Sequence, residues 1–198
     1  MGRDRGAPPP SKPLRLFVAA DVPDDVKAGL AESLTQFRDR IPGASWMRRD
    51  GWHVTLRFLG STWPRQVEAV RTAVEKAAAT TSPFETSLTE VGAFPSERRA
   101  RVLWVGLADD DGRFQRIVTL LDDVLQEDFV PDEREFTPHL TVARLHPVRD
   151  LSEFATSLHG LSVASRTFPV GELVLYRSHL SPRGATYEAL GRFGLTGS

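Results

Sequence analysis

The segments HVTLRFLG (residues 53–60) and HLTVARL (residues 139–145) decide the fold of this chain. Each begins with histidine, an apolar residue, threonine and a second apolar residue. The chain has only five histidines among 198 residues, so two such motifs are far more than chance supplies. One motif falls in each half of the chain, which predicts two similar halves.

Strand geometry tells what each motif presents. Side chains at positions i and i+2 of a strand point to one face and lie about 6.5–7 Å apart. His53 therefore sits beside Thr55, and His139 beside Thr141, with the intervening apolar residues in the core. If the halves pack with approximate twofold symmetry, two imidazoles and two hydroxyls converge on one cleft.

This inventory suits displacement at a phosphate ester. A neutral imidazole can take a proton from water while an imidazolium gives one to the leaving oxygen. The threonine hydroxyls can donate hydrogen bonds to the phosphate oxygens as charge develops. A 2′,3′-cyclic phosphate is a natural target, because ring strain already lowers the barrier and no metal is required. The paired imidazoles predict a bell-shaped pH profile with an optimum around pH 6–7.

Composition excludes several other classes of protein. The chain is 40% hydrophobic and 26% charged, as in soluble globular proteins, and it contains no cysteine. Thiol nucleophiles, cysteine-bound zinc and iron–sulfur clusters are thereby excluded. With 25 basic and 26 acidic residues, no global field attracts nucleic acid or a membrane. The longest apolar run, Leu16–Ala20, is too short to span a bilayer, and residues 1–12 lack a secretory signal, so we expect a cytoplasmic protein.

Hydrophobic periodicity predicts an α+β protein with two antiparallel sheets. Residues 1–13 form a disordered tail in this interpretation, and residues 14–196 form a single domain. The predicted strands are 14–22, 52–59, 84–94, 101–107, 139–145, 168–177 and 185–194. The predicted helices are 26–40, 62–79, 109–128 and a short one at 150–159.

Five segments resemble one known family in order and spacing. They are RLFVAADVP (15–23), HVTLRFLG (53–60), VGAFPSERRARVLWVG (91–106), FTPHLTVARL (136–145) and ELVLYRSHL (172–180). The family is the two-histidine phosphoesterases, and within it the RNA 2′,3′-cyclic phosphodiesterases, historically called 2′-5′ RNA ligases (LigT-like). The resemblance extends from about residue 14 to 194. It implies a bilobal fold, with two pseudo-symmetric lobes, each containing an antiparallel sheet and helices, and an active-site cleft between them.

The resemblance also implies an activity, which is metal-independent hydrolysis of an RNA 2′,3′-cyclic phosphate to a 2′-phosphate. His139 would accept a proton from water, and His53 would donate one to the leaving 3′ oxygen. Thr55 and Thr141 would hold the phosphate. Arg144 is similar to the phosphate-facing arginine of the family.

Strict alternation places Arg144 on the face opposite His139, so it reaches the cleft only through a bulge, a twist or the end of the strand. Arg57 has the correct parity with His53 and is a competing phosphate ligand. Phe17 and Trp46 could stack a base. The run Glu97–Arg101 could contact an RNA backbone.

Other functions remain open at this stage. The same site could ligate RNA ends through a 2′-5′ bond, and the scaffold could be a non-catalytic nucleotide-binding module. A metallohydrolase using His53 and His139 as ligands lacks any supporting metal motif. We expect His146, His159 and His179 to have no role in the chemistry. We also expect no cofactor, a monomer, and RNA ends or nucleotides bearing a cyclic phosphate as substrates.

Overall fold

A computed structural model describes residues 12–197 except 42, 133, 155, 157, 159–166 and 182–183. Ten strands and three α-helices are assigned within these residues. The strands are β1 (Leu14–Asp21), β2 (Ala44–Trp46), β3 (His53–Thr62), β4 (Phe84–Thr86), β5 (Leu88–Phe94), β6 (Ala100–Leu107), β7 (His139–Arg149), β8 (Phe168–Val170), β9 (Glu172–Ser181) and β10 (Gly184–Gly194). The helices are α1 (Asp24–Arg38), α2 (Val67–Thr80) and α3 (Arg113–Leu125).

The main sheet has the strand order β10-β9-β1-β3-β7-β6-β5, with β2 paired to β7. Every pairing is antiparallel, and β4 and β8 form a separate two-stranded sheet. The two halves of the main sheet meet between β3 and β7, where the register contains a single pair, Val54↔Leu140. The two expected sheets are therefore joined by one bridge, and the predicted α+β class is confirmed.

The helices cover one face of this sheet. In α3, buried apolar residues recur at the spacing of one helical face: Phe114, Ile117, Val118, Leu121 and Leu125. The Asp109 carboxylate accepts hydrogen bonds from the first-turn amides of Phe114 (2.9 Å) and Gln115 (3.1 Å), which fixes where the helix begins. The α3 helix contacts α2 and β3, and α2 contacts β9 and β10. The core lies between helices and sheet, so the opposite face of β1, β3 and β7 is left open.

Several predicted boundaries are wrong. The strand predicted at 84–94 is interrupted at Ser87, because β4 leaves the main sheet to pair with β8. The strand predicted at 168–177 likewise divides into β8 and β9. The helix predicted at 62–79 begins at Val67, after a 3₁₀ turn over Pro64–Gln66. Residues 1–11 of the predicted tail fall outside the described residues, as do 155, 157 and 159 of the helix predicted at 150–159, which includes a 3₁₀ turn over Ser152–Phe154. No helix in the described part of the chain is long and apolar enough to cross a membrane.

Candidate active site

The single bridge between the two halves lies at the centre of both motifs. Val54 and Leu140 are the residues between histidine and threonine, and both are buried. The antiparallel register sets each histidine across from the threonine of the other motif. Four partly buried side chains consequently share the open face at this seam: His53, Thr55, His139 and Thr141. The predicted convergence of the two motifs follows from the fold.

His139 is held in one tautomer by the backbone. Its Nδ1 lies 2.7 Å from the carbonyl oxygen of Thr137. A carbonyl oxygen only accepts, so Nδ1 is the donor and, in the neutral ring, Nε2 keeps its lone pair. Burial lowers the pKa of His139, the Thr137 hydrogen bond opposes this, and the charges of Arg134 and Arg144 lower it further. The ring is therefore suited to accept a proton at Nε2.

His53 is surrounded by aromatic rings instead. Phe17 stacks on it with a centroid distance of 4.8 Å, Tyr176 lies stacked at 5.7 Å, and Tyr187 approaches edge-on at 5.0 Å. Burial among these rings lowers the pKa of His53 to about 4, and the charge of Asp21 opposes that fall. Lys27 and His139 lower it further, so the two motif histidines are electrostatically coupled.

Asp21 is the carboxylate beside His53, because the two residues are paired across β1 and β3. The Tyr176 hydroxyl donates to both Asp21 oxygens, at 2.7 and 2.9 Å. Arg192 donates to Asp21 at 3.2 Å and also to Glu172. A carboxylate held here favours the protonated form of His53. The sequence interpretation missed Asp21 and both tyrosines, since no motif connects them to the histidines.

A bulge in β7 brings Arg144 to the motif face. The register runs Trp104↔Thr141 and then Leu103↔Ala143, which leaves Val142 without a partner. Val142 and Ala143 are both buried, and alternation resumes one residue out of phase. Arg144 is thus exposed on the face of Thr141. Its role as a phosphate ligand stays a prediction.

Strict strand alternation predicts that Arg57 shares the open face with His53, and this prediction is wrong. The register in β3 also skips a residue, Leu56, so Arg57 turns to the helix-covered face and is 5% exposed. Its Nε lies 2.7 Å from the Asp122 carboxylate, and its Nη2 donates to the Val130 carbonyl at 2.9 Å. Arg57 therefore ties β3 to α3 and the segment after it, and it is not available to a phosphate in the cleft. Phe58 takes the open face in its place.

The two predicted stacking residues lie in different surroundings. Phe17 is 3% exposed and contacts His53, Tyr176 and Tyr187, so the geometry favours positioning of His53 over an open platform for a base. Trp46 is paired with the buried Ala143 and so lies on the face away from the motifs.

His146 and His179 lie outside this cluster. His179 is exposed and bonds Glu188 at 2.8 Å, His146 is exposed in β7, and His159 lies outside the described residues. Glu97–Arg99 forms a 3₁₀ turn between β5 and β6, and its contact with RNA stays a prediction. No group of three or more metal-ligating side chains occurs among the residues that the structure describes.

Comparison with known proteins agrees with this geometry. The family model described as LigT like Phosphoesterase matches the chain twice, over residues 21–104 and 105–187, once for each half. The chain belongs to this family. The predictions of the family and of a hydrolytic enzyme are thereby confirmed.

Three known proteins illustrate the similarity of this phosphoesterase to others. A protein of Geobacillus stearothermophilus named RNA 2′,3′-cyclic phosphodiesterase is 27% identical over 92% of this chain, which spans 57% of that protein's length. A protein of the same name from Methanothermobacter thermautotrophicus is 30% identical, over 92% of this chain and 99% of its own. The crystal structure of TT0787 of Thermus thermophilus has a TM-score of 0.78 at 26% identity, covering 93% of this chain and 99% of that one.

Proposed function

We propose that this phosphoesterase hydrolyses the 2′,3′-cyclic phosphate of RNA ends and of nucleosides to a 2′-phosphate. The observation that carries the proposal is the seam at Val54↔Leu140, which sets two histidines and two threonines on one open face. The relatives from Geobacillus and Methanothermobacter are named RNA 2′,3′-cyclic phosphodiesterase, which supports the choice of substrate.

The two histidines divide the proton transfers. His139 Nε2 takes a proton from water, and the water oxygen attacks phosphorus. The bond from phosphorus to O3′ breaks, and His53 as imidazolium gives its proton to O3′. The products are a 2′-phosphate and a free 3′-hydroxyl. Exchange with solvent then returns the proton from His139 to His53.

The threonines and Arg144 act on the phosphate itself. The hydroxyls of Thr55 and Thr141 donate to the non-bridging oxygens, whose charge rises in the transition state. Arg144 supplies a positive charge at the same face and makes no ion pair within the described residues. These groups take the place of a Lewis acid, so we propose a metal-independent reaction. We further propose that residues 14–196 act as a single domain, as a monomer in the cytoplasm.

Substrate binding should favour the protonated form of His53. In the free protein, burial lowers the pKa of His53 to about 4, which disfavours the imidazolium required of a proton donor. A phosphate anion beside the ring favours the charged form, as Asp21 already does. We therefore expect the anionic substrate to raise the pKa of His53 on binding.

The test is turnover of a short RNA ending in a 2′,3′-cyclic phosphate, with a strong chelator present and ³¹P NMR as the readout. The proposal expects a 2′-phosphate from the wild type and none above background from His53→Ala or His139→Ala. Cyclic-phosphate binding without turnover would favour a binding module instead. Loss of wild-type turnover in chelator, restored by added metal, would contradict the metal-independent scheme.

A further inference from the structure

The open face of the sheet extends beyond the catalytic pair to Phe58. The bulge in β3 places this ring on the open face, cross-strand from Phe17, five residues along the strand from His53. It remains 46% exposed, so about half of its surface is open to a ligand on this face.

Arg15 accompanies Phe58. Its guanidinium carbon lies 4.5 Å from the centroid of the Phe58 ring, in cation–π geometry. No carboxylate of the described residues forms an ion pair with Arg15, whereas Arg57, Arg134 and Arg192 each have such a partner. An exposed ring under an arginine with no ionic partner is a surface suited to a nucleotide, because the ring can stack a base and the arginine can bind a phosphate.

Tyr187 connects this surface to the catalytic pair. Its ring is edge-on to His53 at 5.0 Å. Burial raises the pKa of Tyr187, and the charges of Arg144 and Arg15 both oppose that rise, so both arginines act electrostatically on this tyrosine. Arg144 and Arg15 thus both place positive charge near Tyr187, and neither arginine forms an ion pair within the described residues.

We propose that Phe58 and Arg15 form a second subsite, which binds the nucleotide on the 5′ side of the terminal cyclic phosphate. The base of that nucleotide stacks on Phe58, and its phosphate binds Arg15. This inference rests on the proposed function and adds that the preferred substrate is an RNA chain end, because a nucleoside cyclic phosphate leaves the subsite empty.

The experiment compares two substrates, a nucleoside 2′,3′-cyclic phosphate and a dinucleotide ending in the same group. Base stacking on an aromatic side chain is worth at least about fivefold in affinity. The wild type should therefore turn over the dinucleotide with at least about fivefold higher kcat/KM. Phe58→Leu should remove that preference and change kcat/KM for the nucleoside by less than about twofold. Arg15→Gln should weaken the salt dependence for the dinucleotide by about 0.7 in the logarithmic slope.

Trp63 and Arg65 provide the matched control. Trp63 is 41% exposed, and the Arg65 guanidinium lies 5.9 Å from its ring, so this pair has the same chemistry just after the end of β3. The Gln66 side chain beside it bonds the Trp63 backbone and Asp128, a residue that follows α3. Trp63→Leu and Arg65→Gln should leave the substrate preference unchanged.

The outcomes separate the two proposals. An equal loss for both substrates in the Phe58 and Arg15 variants, or no wild-type preference for the dinucleotide, overturns the subsite while leaving the hydrolysis proposal intact. A wild type that hydrolyses neither substrate overturns the proposed function instead. Arg15 is exposed, so Arg15→Gln should leave the fold stable. This variant therefore still tests the subsite if Phe58→Leu is unstable.

Discussion

The two halves of the molecule share a motif and even a bulge, yet they surround their histidines differently. His139 is fixed by a hydrogen bond from Nδ1 to the Thr137 carbonyl oxygen, with Arg144 on its face. His53 has no such backbone contact among the described hydrogen bonds and is packed by Phe17 beside the Asp21 carboxylate. The Thr137 carbonyl fixes the tautomer in which Nε2 can accept a proton, and the charge of Arg144 favours the neutral His139 ring, whereas a carboxylate favours an imidazolium that can give a proton.

The proposed roles would make an acid and a base from two copies of the same motif. The motif sets where the two imidazoles lie, and in this proposal residues outside the motif decide what each one does. The tyrosines that contact His53 come from β9 and β10, whereas the rings beside His139, Phe94 and Trp104, come from β5 and β6. The following experiments test that division of roles.

The largest effect should come from the histidines themselves. His53→Ala and His139→Ala should each lower kcat by about 10²–10⁴-fold, because each removes one proton transfer. His179→Ala is the control, since that exposed side chain bonds Glu188 away from the seam. Steady-state rates at saturating substrate measure the loss of kcat. If a variant of either motif histidine kept near wild-type kcat, that histidine would not transfer a proton in the reaction, and the proposed division of roles would be wrong.

The threonines should rank next. Thr55→Val and Thr141→Val keep the shape of each side chain and remove the hydroxyl donor, so kcat should fall by about 10–10³-fold. Serine at either position restores a hydroxyl and should recover most of the rate. If the valine variants raised KM alone, the hydroxyls would bind the ground state without stabilising the transition state.

Arg144 and Arg57 follow equivalent bulges, but their substitution should change different properties. The Arg144 variant should lose activity, and the Arg57 variant should lose stability. Arg144→Gln should lower kcat/KM at least about tenfold through the lost positive charge, with the melting temperature unchanged. Arg57→Gln should lower the free energy of unfolding by about 3 kcal/mol, because it leaves Asp122 without its partner. Urea unfolding and steady-state kinetics on both variants measure the contrast. If folded Arg57→Gln lost as much activity as Arg144→Gln, Arg57 would have to contribute to the active site.

The pH profile should show the smallest but most specific effect. Burial lowers the pKa of His53 to about 4 and that of His139 below 6.5, so the optimum of kcat/KM, midway between the two, should lie below about pH 6, on the acid side of the expected range of about pH 6–7. With the proposed roles, activity should fall at lower pH as His139 gains a proton and at higher pH as His53 loses one. The optimum of kcat should lie higher, since bound phosphate stabilises both imidazolium forms. An optimum of kcat/KM above pH 7 would contradict the lowered pKa values.

Asp21 provides a variant for the same profile. Asp21→Asn removes the charge that opposes the fall in the pKa of His53, so a smaller share of the protein carries its proton on that ring. We expect kcat/KM at the optimum to fall several-fold, without the loss of kcat at saturation that the threonine variants should show. An unchanged profile in a folded Asp21→Asn protein would show that the carboxylate has no part in setting the protonation of His53.

The sequence predicts the seam but not its surroundings. The His-x-Thr repeat contains the information that one strand in each half presents the chemistry, and strand periodicity identifies which face is open. Strict alternation gave the wrong strand face for Arg57 and Arg144, because a bulge depends on cross-strand register, which local periodicity does not contain. Asp21 and Tyr176 are 155 residues apart and meet only because β9 pairs with β1. Such long-range contacts follow from topology, which the motif alone leaves open.

The central claim is that His53 is the acid and His139 the base, and a change of leaving atom tests it most directly. In a substrate whose 3′ oxygen is replaced by sulfur, the bond from phosphorus to sulfur breaks and a thiolate leaves, which needs no proton because the pKa of a thiol is only about 8.5. The account predicts that this substrate restores turnover to His53→Ala and leaves His139→Ala inactive. Rescue of His139→Ala alone would contradict it by reversing the two roles, and rescue of neither variant would remove His53 as the proton donor.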